Sequence, residues 1–166
     1  MGKAAESVLI EASAAEVWAI YFEPSTWPSW VDGFGAVDSA EGYPEQGGTL
    51  RWHSTPAGRG HVAERVLEHS PRTRHRIAFS DEESEGELTT TLELVSAGEG
   101  ENPATRVTQT IEYSIRGGGP LGSLTDYLFV RPQMQRSLAR SLERLRREVA
   151  ELAAETAEGA PADGSV

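Results

Sequence analysis

The chain has 166 residues, 38% hydrophobic and 25% charged, a net charge of -11 and no cysteine. That length suits one domain with a single core, and the acidity argues against nucleic acid as a partner. The missing thiols exclude disulfides, thiolate catalysis and thiolate metal sites.

In chain order, the first apolar run is only Val8, Leu9 and Ile10, too short for a signal-peptide core, and Glu6 stands where a myristoylation motif wants Ser or Thr. Nothing approaches the ~20 apolar residues of a membrane helix, so the chain is expected to be cytoplasmic, without membrane insertion. Ser7 to Ala12 predicts a short strand. Ser13-Ala-Ala-Glu16 is a capping box, and Val17, Ile20 and Tyr21 continue it at helical spacing. Pro24 ends that helix, and Ser25-Thr26-Trp27-Pro28-Ser29-Trp30 predicts a second, very short one. Six strands follow, near 36–41, 48–54, 60–68, 73–80, 86–95 and 104–116, joined by short loops rich in turn residues. The run from Asp81 to Glu85 is expected at an exposed hairpin tip; it lacks the ligand spacing of a calcium loop.

Gly117 to Gly122 reads as a hinge, without the Lys-Ser/Thr end of a phosphate loop. A long helix is expected from about Gly122 to Ala154. Met134, Leu138, Leu142, Leu145, Val149 and Leu152 form its apolar stripe, and Pro132 is expected to kink its start. The stripe is short and a large sheet needs covering, which favours packing on the sheet over a coiled coil. Between Arg131 and Arg147 lie six arginines and one acid, Glu143, so the segment carries +5 and the remainder -16. A solvated face and a basic handle both fit that charge. Residues 5–154 are expected to form the domain and 155–166 a disordered tail.

This order predicts an α+β fold: a curved antiparallel sheet of about seven strands wrapped around one long C-terminal helix, with two short helices after the first strand. One helix cannot fill such a sheet, so an internal cavity is expected. The pattern resembles the SRPBCC superfamily, the helix-grip fold of START lipid-transfer domains, birch-pollen-allergen relatives and polyketide cyclases. The residues that carry the resemblance are Ile10 to Trp18, Trp27-Pro-Ser-Trp30, Gly48-Thr-Leu-Arg51, Val66 to Pro71 and Gly119-Pro-Leu-Gly122. The resemblance implies a small hydrophobic ligand, polyketide- or lipid-like, no cofactor, and either catalysed cyclisation and dehydration or carriage alone. Its co-chaperone relatives add an interaction module as a further alternative. It also places Tyr127 and Arg131 at the cavity mouth. Exposed sheet edges admit a homodimer.

Strand parity places Leu50, Trp52 and Ser54 on the concave face, then Val62, Glu64 and Val66, and His75, Ile77 and Phe79. Leu88, Thr90, Leu92 and Leu94 follow, and Val107, Gln109, Ile111, Tyr113 and Ile115 complete it. Glu64, His75, Thr90 and Gln109 break these apolar rows. A polar group there costs free energy unless partnered, and burial would move Glu64 and His75 toward the range useful for proton transfer. Satisfaction within a polar core patch is the competing reading, as is exposure at a strand end for His75. Glu64 and His75 are the candidate catalytic residues. Trp30, Trp52, Phe79, Thr90, Gln109, Tyr113 and Tyr127 are the candidate ligand contacts. His53 and His61 should point outward and His69 lies near a turn. No pair has the helical spacing of a zinc site, so no metal is expected, and no G-x-S-x-G supports a serine hydrolase.

Overall fold

A computed structural model describes residues 1–56, 58–95, 102–117 and 129–159. Strand β1 spans Gly2–Ile10 and helix α1 Ala14–Tyr21. A 3-10 turn, Pro24–Thr26, leads into α2, Trp27–Trp30. Six strands follow: β2 (Phe34–Glu41), β3 (Thr49–Ser54), β4 (His61–Ser70), β5 (Arg74–Ser80), β6 (Ser84–Val95) and β7 (Ala104–Ile115). Helix α3, Arg131–Glu158, closes the fold. The seven strands form one antiparallel sheet in the order β1-β7-β6-β5-β4-β3-β2, so the chain's first strand returns to pair with its last. This is the helix-grip architecture expected from the sequence.

The local signals hold where they are chemical. Ser13 accepts from the Glu16 amide at 3.3 Å, and the Glu16 carboxylate accepts from the Ser13 amide at 2.8 Å. The Ser13 hydroxyl also donates to that carboxylate at 2.6 Å, and this bond first, then that from the Ser13 amide, holds Glu16 below its ordinary value. β1 begins at Gly2 rather than Ser7 because it pairs with β7 along its whole length. Gly2 is also needed there, since a Cβ on it would sit 2.3 Å from Tyr113 Cζ.

Several expectations are corrected. The acid run is not an exposed tip throughout, because Asp81 and Ser84 are buried. Asp81 accepts from the Ser84 amide at 2.6 Å and from Arg59 Nε at 2.7 Å, so it braces the turn instead of facing water. Burial alone would raise the Asp81 carboxyl, but Arg59 and the Ser84 bonds outweigh it and hold it low. Leu94, expected on the concave face, is 68% exposed near the end of β6. Pro132 sits in the first turn of α3, where a missing N–H costs nothing, so no interior bond is lost to it. α3 also runs to Glu158, four residues past its expected end. The expected helix start near Gly122, the hinge beyond Gly117 and the last residues of the tail lie outside the described residues.

The core divides in two. Leu142, Leu145 and Val149 of α3 pack with Val17, Trp27, Trp30, Trp52 and Val62 in the larger cluster. Ala4, Phe79, Ile111 and Tyr113 form the smaller one, against Met134 and Leu138. The arginine face of α3 is partly occupied. Arg140 grips Asp32 through two bonds of 3.1 and 2.7 Å, and Arg144 Nη1 reaches it at 3.2 Å. Ser137 Oγ donates to the same carboxylate at 2.9 Å, and the Asp32 amide donates to Ser141 Oγ at 2.9 Å. These bonds, led by that of Arg140, hold the Asp32 carboxyl below its ordinary value. Asp32 follows α2 directly, so this clamp fixes the two short helices onto the long one.

Replacing Asp32 with Ala should therefore lower stability by about 2 kcal/mol, after allowing for screening at the exposed Arg140 head. The shift should be about 5 °C in Tm, shrinking at high salt. An unchanged thermal melt would show that the clamp is not stabilising.

Candidate functional site

Between the concave sheet, α1, α2 and α3 lies a cavity of about 130 Å3. Its wall is largely aromatic: Tyr21, Trp27, Trp30, Phe34, Tyr43 and Trp52. Trp27 and Trp30 are only 5% and 3% exposed. Their indole N–H groups are spent inside the helix pair, on Tyr21 O at 2.8 Å and Thr26 Oγ1 at 3.1 Å. With their polar atoms paired, both rings serve as buried apolar wall and as packing for α3. The proline-split tryptophan pair thus does both jobs.

Three polar groupings interrupt this wall. Tyr21 Oη lies 2.8 Å from Thr90 Oγ1 and accepts from Gln109 Nε2 at 3.0 Å. Trp52 Nε1 donates to Glu64 Oε1 at 2.8 Å. His75 lies with its Nδ1 3.0 Å from His69 Nδ1, and among the described residues nothing bonds its Nε2. Arg59 also reaches the cavity, with its guanidinium 4.6 Å above the Phe79 ring and paired to Asp81. Asp32, Ser137 and Ser141 bring the helix clamp to the cavity's α3 side.

Of the residues singled out from sequence, Trp30, Trp52, Glu64, His75, Thr90 and Gln109 meet at this cavity. Phe79 and Tyr113 belong to the smaller apolar cluster instead. Tyr127 lies outside the described residues. Arg131 is exposed at the start of α3. His61 is exposed and His53 half-buried, with His53 Nδ1 2.7 Å from Asp38 Oδ1. Among the described residues, no group of three or more His, Asp or Glu is placed to hold a metal.

Sequence reasoning missed Tyr21, Tyr43, Arg59, Asp32 and His69. His69 was hidden by a bulge: the pairing of β4 with β5 shifts register between Val66 and Glu68. Leu67 is the extra residue, so inward parity passes from even to odd positions beyond it. Glu68 then faces outward to Arg74 and Arg76, and His69 turns inward.

The sequence matches the family described as polyketide cyclase/dehydrase and lipid transport over residues 1–150. The chain belongs to this family. Among solved structures it is similar to the Zhui aromatase/cyclase from a Streptomyces species, at 16% identity and a TM-score of 0.70, with 99% of each chain covered. It is 23% identical to the di-domain ARO/CYC protein BexL, with a TM-score of 0.65, over 87% of this chain and 46% of that one. Norcoclaurine synthase from Thalictrum flavum is 14% identical with a TM-score of 0.63, over 89% of this chain and 92% of that one. At such identities the likeness shows the fold alone. No curated protein matches the sequence.

In this polyketide cyclase/dehydrase family member, burial sets the charge state of the cavity. It pushes the Glu64 carboxyl above its ordinary value, and the Trp52 bond and the Arg59 charge pull back without cancelling it. Glu64 keeps some accessible surface, but that surface belongs to the cavity wall. Burial likewise raises the Tyr21 and Tyr43 hydroxyls. His75, 3% exposed, is lowered to about 4 by burial first and then by His69. That is lower than a proton shuttle at neutral pH requires, so His75 is a neutral hydrogen-bonding group there.

Two pH dependences follow from opposite signs. As pH falls from about 6.5 to about 4, the unfolded chain protonates His75 while the fold does not, so stability declines across that window. The decline is on the order of 3 kcal/mol at most. Urea titrations should show it in the parent protein and a shallower decline in His75→Leu; equal slopes would refute it. Glu64 behaves in reverse, because its ionised form is disfavoured by folding. Glu64→Gln should raise Tm at about pH 8, with the gain fading toward about pH 4. A variant less stable than the parent at the higher pH would contradict that sign.

Proposed function

We propose that the protein binds a small poly-carbonyl, polyketide-like molecule in its cavity and catalyses its cyclisation and dehydration by proton transfer alone. The observation that carries this reading is Glu64: a carboxyl in the cavity wall with one hydrogen bond among the described residues, set among aromatic rings beside the Tyr21, Thr90 and Gln109 cluster. A carboxyl raised by burial is nearer the pKa of a useful general base than one in water.

The hydroxyl pair supplies the second requirement. Tyr21 and Thr90 own two O–H groups, and their mutual contact uses one. Gln109 donates into Tyr21 Oη and occupies an acceptor site, so one hydroxyl proton is left for a ligand oxygen. In the proposed step the Glu64 carboxylate takes an α-hydrogen from the substrate. The electron pair of the broken C–H bond moves to the neighbouring carbonyl oxygen, where the free hydroxyl stabilises the enolate. The enolate carbon attacks a second carbonyl held close by the aromatic wall, a C–C bond forms, and the new alkoxide takes the proton back from Glu64. Dehydration repeats the transfer. Glu64 removes the next α-hydrogen and returns it to the departing hydroxyl, a C=C bond forms and water leaves.

Carriage of the same ligand without chemistry is the alternative, favoured by the fact that Thr90 and Gln109 already satisfy Tyr21. Hydrogen exchange separates the two. With 4-phenyl-2-butanone in deuterium oxide, the parent protein should quench its tryptophan fluorescence on binding and accelerate deuterium uptake at the ketone's α-carbons. Glu64→Gln should keep binding and lose about 100-fold in exchange rate. Quenching without exchange in the parent leaves a carrier. A parent protein that binds no ketone ends the cavity reading.

A further inference from the structure

The bulge at Leu67 does more than reorient one side chain: it carries His69 onto the inner face, opposite His75 in register. Their Nδ1 atoms lie 3.0 Å apart. Two like nitrogens at that distance share one proton, because two lone pairs repel and two N–H groups clash. One imidazole therefore donates and the other accepts. His69 is half-buried, so whichever nitrogen it leaves bare has water within reach. His75 is 3% exposed, and its Nε2 has no partner among the described residues.

The aromatic surroundings and the unpartnered His75 Nε2 favour one direction. The His75 ring meets Phe22 at 4.8 Å and 82°, and Tyr43 at 5.8 Å and 86°. Where the His75 edge meets a π face in such packing, an N–H is better placed there than a bare lone pair. We infer that His69 is a positioning residue: its Nδ1–H donates to His75 Nδ1 and fixes the His75 proton on Nε2, giving the cavity an N–H donor for a ligand carbonyl. This rests on the cavity being a ligand site, as proposed above. A buried N–H without a partner costs free energy, and a ligand carbonyl removes that cost on binding. The donor is separate from the hydroxyl left by Tyr21 and Thr90, so a ligand with two carbonyls can be held at both.

Nitrogen NMR of the imidazoles in the ligand-free protein tests this directly. His75 should carry its proton on Nε2 and a lone pair on Nδ1; a protonated Nδ1 on His75 overturns the inference. His69→Phe keeps the ring contacts with Trp18 and Phe22. It should release His75 into a mixture of tautomers and reduce the preference for α-tetralone over tetralin about fivefold. An unchanged tautomer in that variant, or an unchanged preference, also overturns it. His69→Leu, which also lacks a donor, gives the same readings if the Phe variant does not fold. In the parent protein, α-tetralone should shift the His75 Nε2–H resonance and tetralin should not; equal shifts remove the donor role. Failure of both compounds to bind would sink the cavity reading, whereas the ligand-free tautomer would still decide the histidine pair.

Discussion

A helix about 10–12 Å across cannot cover seven strands spaced about 4.8 Å apart, a sheet roughly 29 Å wide. The mismatch governs the rest of the molecule. Curving the sheet around α3 narrows the gap but does not close it. The remaining width is filled by α1, the 3-10 turn and α2, which explains why a short, proline-interrupted segment carries two indoles: few residues must cover much area. What they leave open is the cavity. Its position is set by where the short helices stop, and Asp32 sets that limit by tying the end of α2 to Ser137, Ser141, Arg140 and Arg144.

The polar groups on the concave face have a clear energetic cost. A sheet face built for stability alone would be apolar at positions 64, 75, 90 and 109. The fold reduces the cost by pairing Thr90 and Gln109 with Tyr21, and Glu64 with Trp52. It does not remove the cost for Glu64 or for His75 Nε2. Retained strain of this kind is expected where a site needs poised groups, and stability is commonly the quantity given up.

How far the sequence reads depends on the range of the interaction involved. The capping box, the proline breaks and the alternation along β3, β5 and β7 are local, and the structure agrees with them. Parity correctly placed Trp52, His75, Thr90 and Gln109 inward because those strands run without bulges at these points. It failed for His69, because a single inserted residue at Leu67 inverts parity and leaves no composition signal. Tyr21 was read only as part of a helix pattern, and nothing in that pattern says that its hydroxyl crosses to Thr90, 69 positions away. Asp32 and Arg140 are separated by 108 positions, so the arginine face looked solvated until the fold brought its acid partner. Asp81 was submerged in a run of acids whose other members are exposed, and only Arg59 distinguishes it.

The electrostatics of the cavity also restrict what it can hold. Burial pushes a carboxyl and an imidazole in opposite pKa directions but toward the same end, the uncharged form. Glu64 is raised and His75 is lowered, so burial disfavours the charged form of each. The Arg59 guanidinium has Asp81 against it, which neutralises it locally. Among the described residues no free counter-charge faces the cavity to receive an ionic ligand, whose desolvation is costly in such surroundings. A carbonyl compound has no such cost. It needs a donor for each oxygen and apolar area for its carbon skeleton; the aromatic wall supplies the area, and the proposed ligand would find its donors in the hydroxyl pair and, in the inferred tautomer, the imidazole. The same balance bears on the base role proposed for Glu64: a carboxylate in a dry, largely neutral cavity recovers little solvation and gains by taking a proton.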